Sequence, residues 1–143
     1  MDIYNKMKLT FSSKSENEAF ARGVISCFAL SLNPSISELT DIKTAVSEAV
    51  TNAIVHAYQK NSGEITIEAE IVDNNLHINV FDNGVGIDNV EQALEPFYTT
   101  RPEEERSGMG FTIMQSFMDK VKVESLKGLG TKVYMIKNLS KDA

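Results

Sequence analysis

Two runs of alternating residues between positions 65 and 80 constrain the fold of this chain most strongly. Apolar side chains occupy every second position over 65–71 and again over 76–80, with polar side chains between them. The intervening Asp-Asn-Asn run is typical of a turn, so the pattern predicts an antiparallel β-hairpin with one apolar face. That face requires a covering layer, because a sheet buries its apolar side against another element of structure.

Two amphipathic helices upstream of the hairpin can supply this layer. Each begins with a Ser-x-x-Glu capping box, and helical spacing predicts helices over about 15–32 and 35–58, capped by Ser15 and Ser35. The longer helix carries mainly small apolar side chains on one face. Such a face suits close packing against a sheet.

Three further segments complete the predicted architecture. Residues 8–12 alternate as a short strand, residues 111–118 form a short amphipathic helix, and residues 121–125 pair with 132–137 as a second hairpin. The predicted fold class is therefore α+β, a two-layer α/β sandwich with a mixed, mostly antiparallel sheet and helices on one face. With its 143 residues the chain is expected to form one domain over 1–143.

The composition limits the class of protein. Hydrophobic residues make up 42% and charged residues 24% of the chain, as in ordinary globular domains. No apolar run approaches the roughly 20 residues of a spanning helix, and the first residues lack a secretory signal, so a cytoplasmic protein is expected. The net charge of -6 argues against nonspecific nucleic-acid binding. We therefore expect protein or small-molecule partners, with no direct nucleic-acid or membrane contact.

The only cysteine, Cys27, lies in the first predicted helix. It shares an apolar face with Phe20 and Val24. One cysteine cannot form an internal disulfide. Its position on that face predicts a buried structural thiol and not a reactive one.

The long helix places three polar residues in a line at the edge of its apolar face, namely Glu48, Asn52 and His56. An edge position can face a ligand cavity, where an Asn oxygen can ligate Mg²⁺ and a carboxylate can accept a proton. The alternative is an ordinary solvated stripe. A structural role is the expected one for His56, and for His77 on the exposed face of the hairpin.

A carboxylate followed by glycines ends the second strand of the hairpin. Asp82 closes the alternating run, and Gly84 and Gly86 remove side chains where a flat ring can lie against the backbone. The alternative is a two-residue Asn-Gly hairpin turn. Such a turn requires a good strand directly after it, but the sequence continues into a long polar loop. The ligand site is therefore the preferred interpretation.

A second glycine turn, residues 107–110, precedes the last helix. Free backbone amides at a helix N-terminus attract phosphate, although a simple turn is the alternative. Arg106 directly precedes this turn and can reach a γ-phosphate, whereas the other charges of the loop over 88–107 are interpreted as solvated surface. The third glycine run, residues 128–131, is explained by a hairpin turn alone.

The four motifs together describe a nucleotide pocket. Their order along the chain resembles that of the GHKL (Bergerat-fold) ATP-binding superfamily over about residues 7–136. The resemblance implies that Asp82 binds the adenine amino group, that Thr131 lies on the adenine side, and that 88–107 forms a mobile lid over ATP. It also implies nucleotide contacts from Asn52, Gly84, Gly86, Thr99, Thr100, Ser107, Gly108, Met109 and Gly110.

Within this superfamily the chain is similar to the small anti-sigma factor serine kinases, and to their sporulation branch in particular. The similarity rests on residues 15–22, 47–54, 97–100 and 105–114. It implies ATP or ADP and Mg²⁺ as cofactors. Glu48 and Arg106 would then be catalytic, and Asn52 would ligate the metal.

The partners implied by this resemblance are proteins. They are a sporulation sigma factor of the sigma-F type, which is held inactive, an anti-anti-sigma protein phosphorylated on serine, and a second copy of the chain in a homodimer. Glu18 and Arg22 match the partner-binding helix of the family. Two alternatives remain: a stress-response anti-sigma kinase, or a nucleotide-gated binding module without significant kinase activity. Glu48 argues against the second, because binding alone needs no base.

Overall fold

A five-stranded sheet forms one layer of the protein. The computed structural model describes residues 3–57, 63–86, 90, 94, 110–126 and 128–139. The strands are β1 (Asn5–Ser12), β2 (Glu64–Val72), β3 (Asn75–Asp82), β4 (Lys120–Leu126) and β5 (Gly130–Asn138). Their order in the sheet is β1-β2-β3-β5-β4, and every pairing between these described strands is antiparallel.

Helices form the second layer. They are α1 (Asn17–Ala29) with a 3₁₀ turn (Leu30–Leu32), α2 (Ile36–Asn52) with a π-helical turn (Ala53–Ala57), and α3 (Gly110–Phe117). In the described part of the chain, no helix has the length and apolar character needed to cross a membrane.

The core lies between the two layers. Alternate residues of β2 and β3, such as Ile67 and Ile78, are fully buried, whereas Glu68 and His77 lie half-buried on the other face. Other large, fully buried side chains come from α1, α2, α3 and β5: Ile25, Ile42, Val46, Val50, Met114 and Met135. Burying each such side chain stabilises the fold by about 1.5–3 kcal/mol. The predicted two-layer α+β fold is thus confirmed, although the described sheet is antiparallel throughout and not mixed.

The capping box predicted at Ser35 is present. The Ser35 hydroxyl accepts a hydrogen bond from the Glu38 backbone N–H at 3.0 Å, and the Glu38 carboxylate accepts one from the Ser35 N–H at 2.8 Å. Two of the N–H groups left unpaired at a helix start are thereby satisfied.

The capping box predicted at Ser15 is wrong. Helix α1 begins at Asn17, and its N-cap, Glu16, makes no side-chain capping hydrogen bond. The residues before it form a turn instead, in which the Asn17 N–H donates to the Lys14 carbonyl at 2.9 Å. The Asn17 side chain also donates to the Ser12 carbonyl at 2.9 Å. The connection to β1 therefore decides where this helix starts.

The prediction that Cys27 is buried is also wrong. Helix α1 buries Ala21, Ile25 and Ala29 against the rest of the core, whereas Cys27 is exposed and Phe20 retains 52% of its accessible surface. The buried residues and the exposed residues both follow helical spacing. The small side chains of Ala21 and Ala29 allow α1 to approach α2 closely. Phe20 and Cys27 therefore lie on the outer face of the helix.

A lysine of β5 links the sheet to two helices, α2 and α3. The Lys137 ammonium lies 3.3 Å from an Asp41 carboxylate oxygen in α2 and donates to the Phe117 carbonyl at the end of α3 at 2.7 Å. Only 13% of the Lys137 side chain and 27% of the Asp41 side chain are exposed. Removing the ammonium would leave the partly buried carboxylate without this partner.

We expect Lys137→Met, which keeps the apolar stem, to lower the free energy of unfolding by about 1–3 kcal/mol. Lys122→Met provides the control, because the Lys122–Glu124 pair at 3.5 Å has side chains that are 61% and 59% exposed. Its expected effect is within about 0.5 kcal/mol. Denaturant unfolding of both variants measures the difference, and equal losses would show that burial of the Lys137 pair adds nothing.

Candidate functional site

The helical pair Glu48 and Asn52 contacts the start of α3. A Cβ atom placed on Gly110 would lie 3.0 Å from Asn52 Nδ2, 3.2 Å from Asn52 Oδ1 and 3.3 Å from Glu48 Oε2. The absence of a side chain at position 110 therefore lets the N-terminus of α3 approach both polar groups. The structure thus brings Gly110, the last residue of the predicted glycine turn over 107–110, together with Glu48 and Asn52.

Both polar side chains of this pair lie at the boundary of the core, as helical spacing predicts. Glu48 and Asn52 are half-buried, whereas Ala45, Ala49 and Ala53 beside them are buried. The α-helical geometry ends at Asn52. Single π-helical turns occur frequently at functional sites, and the one here begins directly after Asn52.

The carboxylate-and-glycine motif that begins at Asp82 forms a separate cluster, where the end of β3 lies beside the start of β5. Asp82 is only 9% exposed, and its Oδ1 accepts hydrogen bonds from the backbone N–H groups of Gly84 at 3.0 Å and Thr131 at 3.2 Å. Within the described residues, Oδ2 has no hydrogen-bond donor. The alternative of a hairpin turn after Asp82 is wrong, because the described partners of β3 are β2 and β5.

Burial controls the electrostatics of Asp82. Desolvation raises the pKa of this carboxyl above its ordinary value of 3.8, and the two backbone donors, Gly84 and Thr131, act in the opposite direction. A buried carboxylate with one oxygen already hydrogen-bonded presents its other oxygen as an acceptor. The group can therefore recognise a ligand that carries a hydrogen-bond donor.

The glycine run over 128–131 has a specific role in this cluster. Gly130 has φ of +96°, and a Cβ atom there would overlap the Asp82 carbonyl oxygen and lie 2.8 Å from Asn83 Cα. Only glycine permits this approach, which brings the Thr131 N–H to the Asp82 carboxylate. The Gly128 N–H also donates to the Val85 carbonyl, at 2.6 Å. This turn therefore connects β4 to β5 and also positions the backbone N–H that binds the Asp82 carboxylate.

An open cavity of about 600 Å³ lies beside Asp82 and Thr131. Its volume is in the range of small-molecule sites. It is lined by Phe81, Asp82, Asn83, Val90, Val123, Glu124, Ser125, Leu129, Gly130, Thr131 and Lys132. Glu48, Asn52 and Gly110 do not line it. The two clusters are connected instead through the π-helical turn after Asn52, which packs against β3 and β5.

Comparison with known proteins assigns the chain to a family. The family model described as a histidine kinase-like ATPase domain matches residues 11–137. The anti-sigma F factor of Clostridium acetobutylicum is 57% identical over 138 residues, with 96% of each chain covered. That of Caldanaerobacter subterraneus subsp. tengcongensis is 56% identical over 142 residues, with 99% of each chain covered. This chain belongs to the anti-sigma F factor family.

The fold of this anti-sigma F family member also agrees with a solved structure. The RsbU and RsbW domains of a Mycobacterium tuberculosis protein align with a TM-score of 0.70 at 19% identity, over 97% of this chain and 33% of the other. At this identity the similarity concerns the fold alone.

Several predicted nucleotide contacts fall outside the described part of this family member. They are Thr99, Thr100, Arg106, Ser107, Gly108 and Met109, together with most of the predicted lid over 88–107 and the side chain of His56. Among the described residues, Gly86 has φ of +78°, a conformation that favours glycine. His77 lies 2.6 Å from the Tyr134 hydroxyl through Nδ1, which supports a structural role.

One polar residue of the site has no sequence signal. Ser125 lies on β4, and its hydroxyl donates to the Gly130 carbonyl at 2.9 Å and lies 2.8 Å from the Thr131 hydroxyl. Strand alternation places Ser125 toward the helical layer but gives no indication of a ligand. The pairing of Ser125 with Thr131 across β4 and β5 establishes this contact.

The predicted partner-binding pair lies on α1. Arg22 Nε is 3.2 Å from Glu18 Oε2, and 39% of the Arg22 side chain and 23% of the Glu18 side chain are exposed. The pair therefore forms an intrahelical ion pair in the free chain. An ion pair of this kind contributes about 0.5 kcal/mol or less, so it does not prevent either side chain from contacting a partner.

Proposed function

We propose that this protein is a cytoplasmic, homodimeric anti-sigma factor and protein serine kinase. It inhibits a sporulation sigma factor of the sigma-F type and transfers the γ-phosphoryl group of Mg-ATP to a serine of an anti-anti-sigma antagonist. The observation that carries the kinase proposal is the contact of Gly110 with both Glu48 and Asn52. The names of the relatives support the sigma-factor partner.

Asp82 would recognise the adenine ring. Its Oδ2 carries a lone pair toward the ligand, while Oδ1 is held by two backbone donors and fixes the orientation of the carboxylate. An adenine amino group donates hydrogen bonds and matches this acceptor. ADP, which carries the same ring, would bind through the same contact.

The residues around Gly110 fit a magnesium-bound triphosphate. Asn52 supplies a neutral oxygen, a ligand type that Mg²⁺ accepts beside phosphate oxygens, and the backbone of Gly110 is free of side-chain obstruction. The amides at the start of α3 would bind phosphate oxygens. When bound, Mg²⁺ neutralises charge on the phosphates.

Glu48 would accept the proton of the substrate serine. The carboxylate reaches the start of α3, where the phosphates are proposed to lie, so an incoming hydroxyl can contact it. An ionised carboxylate within hydrogen-bond reach serves as a general base. Arg106 would stabilise the transferring phosphoryl group.

The direct test incubates the protein with labelled ATP, Mg²⁺ and separately purified candidate anti-anti-sigma proteins. We expect phosphoserine on one of them and on none when Mg²⁺ is chelated. ATP-dependent binding to a sigma factor without any phosphoserine would instead identify a nucleotide-gated binding module. Selective phosphorylation of a stress-response antagonist would identify the other branch of kinases.

Asp82→Asn should weaken ATP binding selectively while the fold is retained. The Asn Oδ1 atom can keep both backbone hydrogen bonds, but an amide donor would replace Oδ2 and oppose the adenine amino group. An unsatisfied polar group of this kind costs about 1–3 kcal/mol. Calorimetric titration with ATP and GTP measures the loss, and equal losses for both nucleotides would contradict adenine recognition.

The pH dependence of the same variant tests the role of charge. The raised pKa of Asp82 means that its carboxylate becomes protonated at a pH above the ordinary 3.8. Protonation removes an acceptor, so ATP affinity of the wild type should fall as the pH is lowered toward that raised pKa. Asp82→Asn should lack this decrease, because an amide does not titrate there.

Arg22→Ala should weaken binding of both the sigma factor and the anti-anti-sigma protein, because both are proposed to contact α1. ATP affinity and thermal melting should stay unchanged, since the Glu18–Arg22 ion pair itself adds only about 0.5 kcal/mol or less. Lys43→Ala on α2 provides a charge-matched control. Unchanged affinity of Arg22→Ala for both partners would remove α1 from the binding surface.

A further inference from the structure

The side chain of Lys137 reaches the helical layer at the end of α3. Lys137 is the register partner of the buried Leu76, so its side chain lies on the face of the sheet that packs against the helices. Its ammonium donates to the Phe117 carbonyl at 2.7 Å and lies 3.3 Å from Asp41 Oδ2. A cation at the C-terminus of a helix also interacts favourably with the helix dipole. Lys137 therefore binds α3 and α2 at the same time.

The other end of α3 lies against Glu48 and Asn52 of α2. A Cβ atom on Gly110 would lie 3.0 Å from Asn52 Nδ2 and 3.3 Å from Glu48 Oε2. The start of α3 thus contacts the end of α2, whereas the end of α3 is linked to Asp41, nearer the start of α2. The two helices therefore run in opposite directions, and α3 is held against α2 at both ends.

The spacing along the two helices agrees with this arrangement. Gly110 and Phe117 are seven residues apart in α3, and Asp41 and Glu48 are seven residues apart in α2. At 1.5 Å per residue, each pair spans about 10 Å along its helix axis. A shift of α3 along α2 would therefore change the contacts at both ends together.

Backbone hydrogen bonds on either side of Lys137 connect the end of α3 to the sheet. The Asp119 N–H donates to the Ile136 carbonyl at 2.9 Å, and the Asn138 N–H donates to the Asp119 carboxylate at 2.6 Å. These two bonds join α3 to β5 and do not involve α2. The ion pair of Lys137 with Asp41 joins this end of α3 to α2.

We infer that Lys137 is a positioning residue for phosphoryl transfer, which holds α3 along α2 so that the backbone at Gly110 stays beside Glu48 and Asn52. The inference rests on the proposed kinase function and extends it to a residue at the opposite end of α3. Lys137 is not among the described residues that line the cavity beside Asp82. A displacement of about 1 Å can lower a reaction rate about 10²-fold, so a small shift of α3 suffices to slow transfer.

The test measures single-turnover phosphoserine formation by the full chain and, by calorimetry, its affinities for Mg-ATP and adenosine. We expect Lys137→Met to lower the transfer rate by about ten- to a hundredfold and to weaken Mg-ATP binding. Adenosine has no phosphates and should bind as it does to the wild type. Lys137→Arg, which keeps the charge and the N–H donors, should restore most of the transfer rate. Lys122→Met, at an exposed lysine of β4, is the matched control and should change none of these values.

A double variant separates positioning from stability. Lys137→Met leaves the Asp41 carboxylate without its partner, and adding Asp41→Asn removes that uncompensated charge. The double variant should therefore melt at a higher temperature than Lys137→Met but should still transfer slowly, because α3 and α2 remain unlinked at this end. If Lys137→Met does not fold, the double variant supplies the transfer rate and both affinities.

The outcomes distinguish this inference from the proposed function. If the wild type forms phosphoserine and folded Lys137→Met does so at the same rate, the role of Lys137 is overturned and the proposed function stands. Recovery of transfer together with the melting temperature in the double variant, or equal losses of Mg-ATP and adenosine affinity, would show a merely structural role and also overturn the inference. A wild type that forms no phosphoserine on any candidate would overturn both proposals.

Discussion

Glu48→Gln is expected to bind Mg-ATP almost as the wild type does and to lose phosphoryl transfer. Glutamine preserves the size of the side chain next to Gly110, where Glu48 Oε2 lies 3.3 Å from the position of a Cβ atom. The amide cannot accept the serine proton, and losing a general base lowers the transfer rate by roughly 10²–10⁴-fold. Phosphoserine formation under single-turnover conditions measures this rate.

Glu68→Gln is the matched control for that prediction. Glu68 belongs to β2 and lies on the face of the sheet opposite the helical layer, so the same chemical change occurs far from the proposed phosphates. Transfer by Glu68→Gln should equal that of the wild type. Near-normal transfer by Glu48→Gln would remove Glu48 from the role of base, and a parallel loss of ATP affinity would assign it to binding.

Gly130→Ala is expected to destabilise the fold strongly, although it adds a single methyl group. The new Cβ atom would overlap the Asp82 carbonyl oxygen and lie 2.8 Å from Asn83 Cα, and neither backbone group can rotate away. The φ of +96° adds strain for any residue with a side chain. Together these effects should lower the free energy of unfolding by about 2–4 kcal/mol.

The same substitution should reduce ATP affinity at least about tenfold, because displacing Gly130 breaks the Thr131 N–H bond that orients Asp82. Gly128→Ala is the control that separates the steric overlap of the new Cβ atom from the backbone strain of a positive φ. Gly128 has φ of +81°, but among the described residues no atom lies within 4 Å of its Cβ position, so only the strain of about 1–2 kcal/mol should remain. Equal destabilisation of the two variants would show that the close approach to Asp82 contributes nothing.

Periodicity was sufficient to predict most of the architecture. The alternation over 65–71 and 76–80 predicted the hairpin of β2 and β3, and Ser35 with Glu38 predicted the start of α2. These signals are local, since both the strand period and the capping box depend on residues close in sequence. The Ser15 box failed for a tertiary reason, because the turn from β1 delays the start of α1 until Asn17.

The site was predicted less completely than the fold. Glu48, Asn52, Asp82 and Gly110 were identified from their spacing and their order along the chain. Ser125 was not, because a serine in a strand has no distinctive pattern and gains its role only from the pairing of β4 with β5. Cys27 was misplaced because α1 carries two apolar stripes, and its sequence does not decide which of them faces α2.

By itself, the sequence determined most of the secondary structure, the apolar face of the sheet and the residue types able to bind a nucleotide, since these follow from local periodicity and side-chain chemistry. Only the tertiary structure decided which groups meet. A Cβ atom at Gly110 would lie 3.0 to 3.3 Å from the Asn52 and Glu48 side chains, and one at Gly130 would overlap the Asp82 carbonyl, so both approaches depend on how closely segments distant in sequence pack together. Such separations result from the packing of the whole core, in which every side-chain volume contributes.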